Sequence, residues 1–345
     1  MMKAGTAFPP NEGAERIRQL AWGYIPAALI GVIIELGIPD LLAGQTKPIG
    51  DIAAAAHANE DALYRMLRTL ASFGVFTESN GKRFALTAAG ACLQSGVPGS
   101  IHGYVRWITN GLLFRSYAEL LHCAKTGETS LEHVFGESLF SYMHHHPDVS
   151  QIFNDGMTSF SHIVSQCVLE AYEFSDIRIL ADIGGGEGAL LAAVLRKYPP
   201  MHGMLLEQEH VVPGARTRFA QSGLAGRATV AAIDFFKAVP AGADAYMMKS
   251  IIHDWDDERA TVILKNCREA LRNVDRAKLI LVEGVVPPGN EQHMVKLADM
   301  QMLVLAGGRE RTREEFQQLL ADSGFRMTTI VPTQSFVSVI EAVPN

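Results

Sequence analysis

Leu180-Ala-Asp-Ile-Gly-Gly-Gly-Glu-Gly-Ala-Leu-Leu191 is the stretch that decides how this chain folds. Its apolar start reads as a buried strand, its centre as a turn made almost wholly of glycine, and its end as the first turn of a helix. A glycine-rich strand-to-helix turn lets a ligand come close to the backbone, with the amides of the helix N-terminus facing it. Such turns serve NAD, FAD, S-adenosylmethionine or no ligand at all. The spacing Gly184-x-Gly186-x-Gly188 is tighter than the G-x-G-x-x-G dinucleotide fingerprint and better suits a cofactor without a pyrophosphate. A purely structural role explains it poorly, because adjacent glycines weaken local structure without helping it.

The totals bound what surrounds this turn. A chain of 345 residues, 48% apolar, has room for about two domains with substantial cores. A formal net charge of -7 argues against a protein whose main business is nucleic acid. Cys92, Cys123, Cys167 and Cys267 are scattered with no C-x-x-C pairing, which fits reduced thiols and neither a disulfide framework nor a zinc site. The N-terminus lacks a basic segment followed by an uninterrupted apolar run, so no leader peptide is expected. Ile25 to Ile38 is interrupted by Pro26, Gly31 and Glu35 and falls short of a membrane span. The expectation is a cytoplasmic protein with no membrane, nucleic-acid or metal partner.

Ala14 to about Gly44 reads as helical and apolar on most sides, with Leu20, Trp22, Ile25, Leu29, Val32 and Ile33 spilling beyond one face. Such a helix packs in an ordinary core or is shared with a second subunit. Two further helices follow, Ile49 to His57 and Asn59 to Phe73, closed by Gly74. Val75-Phe-Thr77 and Arg83-Phe-Ala-Leu86 flank Ser79-Asn-Gly81 as a hairpin. Helix, helix, helix, hairpin is the order of a winged helix. Its DNA-binding use would rest on Arg65, Arg68, Lys82 and Arg83, a meagre set in an acidic chain, so a scaffold or dimerisation use is expected. From about Ser100 to Phe174 the chain is again helical, with breaks near Thr126-Gly127 and Pro147. His144-His-His146 cannot present three rings to one ion from a single helix and reads as a solvated helix end.

After Phe174 strands and helices alternate. Strands are expected at Ile179–Ile183, Gly203–Leu206, Ala228–Ala232, Ala245–Met248, Lys278–Glu283, Met327–Val331 and Phe336–Glu341. Helices are expected near Leu190–Tyr198, Pro213–Ser222, Glu258–Asn273 and Arg313–Ser323. That alternation implies an α/β, doubly wound, Rossmann-like parallel sheet whose ligand binds beyond the carboxyl ends of the strands. The strand ends carry the glycines, then Glu207, about 20 residues on, where an acid can hold a ribose diol. Next come Asp234-Phe-Phe236, suited to an adenine amine and ring face, then Lys249-Ser-Ile-Ile-His-Asp-Trp-Asp-Asp257, then Glu283. Polar and aromatic groups at successive ends of one sheet favour a nucleoside-bearing cofactor.

These motifs resemble the S-adenosylmethionine-dependent O-methyltransferases of the caffeic acid, isoflavone, acetylserotonin and bacterial polyketide-tailoring type. The resemblance rests on Phe153-Asn-Asp-Gly-Met157, Asp182-Ile-Gly-Gly-Gly186, Asp234-Phe-Phe236, Met248-Lys-Ser-Ile-Ile-His-Asp-Trp-Asp256 and Gly307-Gly-Arg-Glu-Arg-Thr312. It implies three parts: a winged-helix dimerisation domain over 1–100, a helical linker over 101–174 contributing to the acceptor pocket, and a cofactor-binding catalytic domain over 175–345. It implies a homodimer through the N-terminal domain, S-adenosylmethionine as cofactor with S-adenosylhomocysteine as product, and no metal. It puts Gly184 and Gly186 against the cofactor, Glu207 on its ribose, Asp234 and Phe235 beside its adenine, and Lys249 and Ser161 at other polar edges. His253 falls on the family's general base, Glu283 and Glu310 on the acids that bracket it, and Asp254 on a substrate-holding position. Met157, Phe160 and Met302 fall on the acceptor pocket. Departures are Glu207 where Asp is usual, Gln208-Glu-His210 where Leu-Pro-His is typical, Ile233 where glycine is common, and Phe160 where plant members carry a polar residue.

The chemistry agrees with these residue types. A phenol with a pKa near ~10 is a poor nucleophile while protonated, and a histidine can take its proton. A carboxylate on the other ring nitrogen fixes the tautomer and stabilises the imidazolium. Relatives on this fold methylate nitrogen or carbon, or catalyse decarboxylation or hydroxylation without methyl transfer. The last group usually lacks a usable base, so His253 speaks against it. A winged-helix regulator with a vestigial cofactor domain is the rival outside enzymes.

Overall fold

A computed structural model of the chain describes residues 12–345. The first eleven positions, counted in the expected dimerisation domain and in the segment read for a leader, lie outside the described residues. The chain divides into two compact units, one reaching to Gly111 and including Gln151–Ser159, the other made of Leu112–Ser150 and Phe160–Asn345.

In the first unit the apolar N-terminal stretch is three helices, Glu12–Ala21, Tyr24–Glu35 and Ile38–Leu41, where one was expected. Trp22-Gly23 forms a turn between the first two, and Gly37, in the left-handed region at φ 63°, divides the second from the third. Ile33, Ile34 and Ile38 are buried in this unit's own core, whereas Ile17, Leu20, Trp22 and Tyr24 are exposed. By length and composition alone Glu12–Glu35, with mean hydropathy 1.5, could cross a membrane, which the interrupted stretch from Ile25 did not suggest. Leu63, Leu67 and Leu70 on the helix Glu60–Ser72 point into the same core at i, i+4, i+7 spacing. Asn59 caps that helix by accepting the Ala62 N–H at 2.9 Å.

A three-stranded sheet closes the unit: β1 (Lys47–Pro48), β2 (Phe76–Ser79) and β3 (Arg83–Leu86), in the order β1-β3-β2. The hairpin is present, but Ser79 pairs with Arg83, so three residues make its turn and the positive φ values fall on Gly81 and Lys82. Of the cations on which a DNA-binding reading would rest, Arg68 and Lys82 lie over the Tyr64 ring and Arg83 donates to the Thr46 carbonyl.

The second unit holds β4 (Ile179–Ile183), β5 (His202–Glu207), β6 (Ala228–Ala232), β7 (Ala245–Lys249), β8 (Lys278–Val286), β9 (Arg311–Thr312), β10 (Phe325–Pro332) and β11 (Val337–Pro344). The main order is β6-β5-β4-β7-β8-β11-β10, with β9 pairing the end of β8. β4 to β8 run parallel, as the alternation with helices requires. β10 and β11 are separated by only a short turn, too few residues for a crossover helix, and run antiparallel. Both faces of the sheet are covered. Along β7, Ala245 and Met247 enter one core while Tyr246 and Met248 enter the other. Burial of Met247 and of Met248 contributes about 1.5–3 kcal/mol each.

The helices Ala189–Lys197, Val212–Gln221, Asp257–Ala270 and Arg313–Asp322 match the expected ones within a few residues. Met294–Leu305 is a further helix. Its apolar residues are spread around the axis, with Val295 and Val304 buried and Leu297 exposed, so periodicity gave no clean stripe. Pro147–Ala171 is a single helix of 25 residues that passes through both units.

Candidate active site

β4 leads to β5 and β6 on one side, while β7 and β8 lie on the other. The strand order therefore reverses beside β4 and β7, the place where sheets of this kind bind ligands beyond the carboxyl ends of the strands. The glycine turn leaves β4 there. Gly184, Gly186 and Gly188 have φ values of 67°, 59° and 78°, a region that favours glycine. A Cβ on Gly184 would sit 2.5 Å from Ile251 Cδ1 and 4.0 Å from the Phe235 ring, and a Cβ on Gly188 would meet the Phe219 ring at 2.5 Å. The glycines thus serve both close packing and an open floor, since nothing lies within 4 Å of a Cβ on Gly186.

Around that floor stand the residues assigned to the cofactor. Glu207, at the end of β5, accepts the Gly186 N–H at 3.1 Å through Oε1 and the Gln208 N–H through Oε2. The extra methylene relative to aspartate lets the carboxylate reach back to the glycine turn, and burial raises its pKa. Ile233, where glycine is common, donates its N–H to the Glu207 carbonyl at 2.8 Å and packs on the core. Asp234 is exposed; it accepts the Phe236 N–H at 3.1 Å and pairs with Lys237 at 3.0 Å, and the Lys237 contact holds its pKa down. Phe235 packs on Phe236 and Trp255. Asn266 fixes that turn by donating to the carbonyls of Phe235 and Phe236. Lys249 donates to Ser161 Oγ at 3.0 Å, and burial lowers its pKa against the pull of Asp182, Glu283 and Asp254.

One group here went unassigned in the sequence. Asp182 is 1% exposed, and neither carboxylate oxygen has a hydrogen-bond partner. Burial pushes its pKa up to about 7, with Lys249 opposing and Glu207 adding. An orphaned buried acid beneath a glycine floor fits a cationic or hydrogen-bond-donating ligand. Asp182 opens one of the motifs read in the sequence, but a lone acid in an apolar strand gives no sign there that its carboxylate is buried and unpaired.

His253 sits on a 3-10 turn, Ile252–Asp254, directly after β7. Its Nδ1 lies 2.9 Å from Glu310 Oε1 and 3.9 Å from Glu283 Oε2, and its Nε2 lies 3.5 Å from Asp254 Oδ1. The side chain is 17% exposed, while those of Glu283 and Glu310 are essentially buried. Burial pulls the imidazole pKa down, but Glu283, Asp254 and Glu310 together outweigh it and lift it to about 10. Glu283 is pushed by burial up to about 7 against the attraction of His253, and Glu310 adds to that rise. Asp254 is raised, by burial first.

The two glutamates do different work. Glu310 holds the ring, whereas Glu283 Oε1 accepts the N–H groups of Ile251 and Ile252 at 3.0 and 2.8 Å and holds the turn. Asp299, on the helix Met294–Leu305, accepts the Glu310 N–H at 2.9 Å. Gly308 is pressed against the turn, where a Cβ would lie 2.0 Å from the His253 carbonyl oxygen.

The expected acceptor residues are less tightly gathered. Met302 is half-buried on the helix Met294–Leu305, and its carbonyl receives the Ala306 and Gly307 N–H groups where the loop carrying Glu310 begins. Phe160 stacks on Phe336 with ring centroids 5.2 Å apart at 18°, a partner that separation in sequence concealed. Met157 is half-buried on the helix Pro147–Ala171 and belongs to the first unit. His145 binds Glu137 at 2.9 Å and His146 stacks on Tyr142, so the triple histidine diverges. His253, Glu283 and Glu310 place one ligand atom each within 4.8 Å of one another, and the ring is hydrogen-bonded to Glu310 within that cluster.

A doubly wound sheet with a glycine floor at its switch point and a carboxylate-bracketed histidine beside it defines a class I methyltransferase site. Residues 117–326 match the O-methyltransferase domain and residues 19–96 the O-methyltransferase dimerisation domain. The chain is 41% identical to the phenazine O-methyltransferase PhzM of Lysobacter antibioticus, over 94% of this chain and 95% of that one. It superposes on the crystal structure of LaPhzM with a TM-score of 0.89 at 40% identity, over 96% and 99% of the two chains. It also matches NcsB1, from neocarzinostatin biosynthesis, solved with S-adenosylmethionine and 2-hydroxy-5-methyl naphthoic acid. There the TM-score is 0.79 at 29% identity, over 93% and 96% of the chains. The chain belongs to the S-adenosylmethionine-dependent O-methyltransferase family.

Proposed function

We propose that this enzyme methylates a hydroxyl of a small aromatic secondary metabolite, with His253 as general base. The observation that carries the proposal is the hydrogen bond from His253 Nδ1 to buried Glu310, which leaves Nε2 directed away from that acid. An aromatic acceptor is supported by the phenazine and naphthoate substrates in the names of the relatives. When bound, S-adenosylmethionine supplies an activated methyl group. Gly184 and Gly186 offer it backbone, Glu207 its carboxylate, Asp234 and Phe235 a polar and an aromatic edge, and Lys249 with Ser161 a further polar contact. Phe160 and Met302 line the acceptor, and Asp254 holds its polar end. His253 removes the hydroxyl proton at Nε2, Glu310 keeps the tautomer, and the remaining acceleration comes from alignment.

Of the three parts, 1–100 serves dimerisation, 101–174 contributes to the acceptor pocket, and 175–345 binds the cofactor and carries the catalytic residues. The exposed Ile17, Leu20, Trp22 and Tyr24 support a homodimer through the N-terminal region. A cytoplasmic enzyme without nucleic-acid, membrane or metal partners completes the proposal. The test is incubation with labelled S-adenosylmethionine and hydroxylated aromatics, with mass spectrometry locating the methyl group. His253→Ala should keep S-adenosylhomocysteine affinity and lose roughly 10²–10⁴-fold in turnover. Full turnover by that variant would remove the base from the mechanism.

A further inference from the structure

The turn that carries His253 is not one the chain would hold unaided. Ser250, just before it, sits at φ 55°, a left-handed conformation that a residue other than glycine keeps only where its surroundings fix it. The N–H side of the turn is fixed by Glu283. Its carbonyl side is fixed by Arg311, whose side chain is 1% exposed. Nη1 donates to the Ile252 carbonyl at 3.1 Å and Nη2 to the Trp255 carbonyl at 2.8 Å, so the guanidinium spans the turn around His253 and Asp254. Nε and Nη2 also reach Asp257 Oδ1, at 2.9 and 2.8 Å. Arg311 lies on β9 opposite Val285, two residues beyond Glu283, and is the residue after Glu310. The Arg311 side chain therefore holds the segment bearing His253, while its backbone continues from Glu310 and pairs with the strand that bears Glu283.

We infer that Arg311 is a positioning residue for methyl transfer: its buried guanidinium fixes the 3-10 turn and so sets the distance between His253 and the carboxylates of Glu310 and Glu283. The inference rests on the base role proposed for His253. Arginine is required because a planar fork spans two carbonyls and a carboxylate at once, whereas a lysine ammonium is a single point. Asp257 is 62% exposed and steadies the guanidinium from the solvent side.

The experiment uses full-length Arg311→Met, Arg311→Lys and Asp257→Asn. For each, S-adenosylhomocysteine affinity is titrated, kcat and KM are separated, and the His253 imidazole is titrated by NMR, its signal assigned by loss in His253→Ala. Arg311→Met should keep cofactor affinity within about threefold while kcat falls by roughly 10–100-fold, the scale of a misplacement of about 1 Å. The imidazole should titrate closer to 6.5 as the carboxylates draw away. Arg311→Lys should recover part of both effects, and Asp257→Asn should show a smaller loss in the same direction. An unchanged kcat and imidazole titration in Arg311→Met would overturn the inference. So would cofactor affinity falling in step with kcat, which would make Arg311 a scaffold residue only. Should Arg311→Met fail to fold, Asp257→Asn decides, because an unchanged titration there overturns it equally. If His253→Ala keeps full turnover while the Arg311 variants still move the imidazole, the base role fails and the positioning geometry stands.

Discussion

Glu310→Gln should move the pH dependence of catalysis in a direction that few other substitutions can produce. His253 rises from 6.5 to about 10 because the surrounding acids outweigh burial. The surrounding acids therefore favour the imidazolium form at neutral pH. A base must be neutral to accept a proton, so kcat/KM for a neutral phenol should rise with pH through a limb well above 6.5. The limb belongs to the cluster of His253, Glu283, Glu310 and Asp254 as a unit.

Glutamine in place of Glu310 keeps an acceptor 2.9 Å from Nδ1 but removes its charge. Loss of an opposite charge at that range lowers a pKa by about 1–3 units, so the limb should move down by that amount. At high pH the variant should be slower, by roughly tenfold, because a less basic imidazole draws the proton more weakly. Near neutral pH the penalty should shrink or reverse, because more of the ring is deprotonated. The assay is kcat/KM from pH 5.5 to about 10.5 at saturating cofactor, with wild type and variant on the same acceptor. An unmoved limb would refute the reasoning and assign it to another group, such as the acceptor hydroxyl near ~10.

Gly184→Val should abolish S-adenosylhomocysteine binding by calorimetry, since its Cβ would lie 2.5 Å from Ile251 Cδ1 at a φ of 67°. Gly186→Ala, with open space around its Cβ, should bind more weakly than wild type but measurably; wild-type binding by Gly184→Val would remove the floor from the site. Burial pushes the Asp182 carboxyl up to about 7, so cofactor affinity should fall as pH drops through that region if its carboxylate is what binds. Asp182→Asn should flatten that dependence, and an unaltered slope would assign it elsewhere. Light scattering should report a dimer, and Leu20→Asp with Trp22→Asp should split it; a dimer surviving both changes would move the interface off this exposed face.

What the sequence disclosed and what it hid follow from the range of the interactions involved. β4, β7 and β8 were legible because strands covered on both faces leave continuous apolar runs, and the glycine turn because its backbone needs are local. The breaks at Gly23 and Gly37 were masked, since an apolar stretch suited to several packing surfaces looks the same whether it runs straight or bends. His253, Glu283 and Glu310 could be named from their motifs, but those motifs are silent on the division of labour between the two acids. That division is set by contacts 32 and 57 residues apart, with Glu283 taking the turn's amides and Glu310 the ring. Arg311 is the plainest case. Arginine beside Glu310 reads as a solvated charge on composition alone, and only the return of β9 along β8 carries its side chain into the interior. A buried guanidinium tolerated there must have its donors satisfied, and the acceptors are the carbonyls flanking the base. The turn that carries His253 is therefore bonded by a residue whose identity no periodicity could have marked.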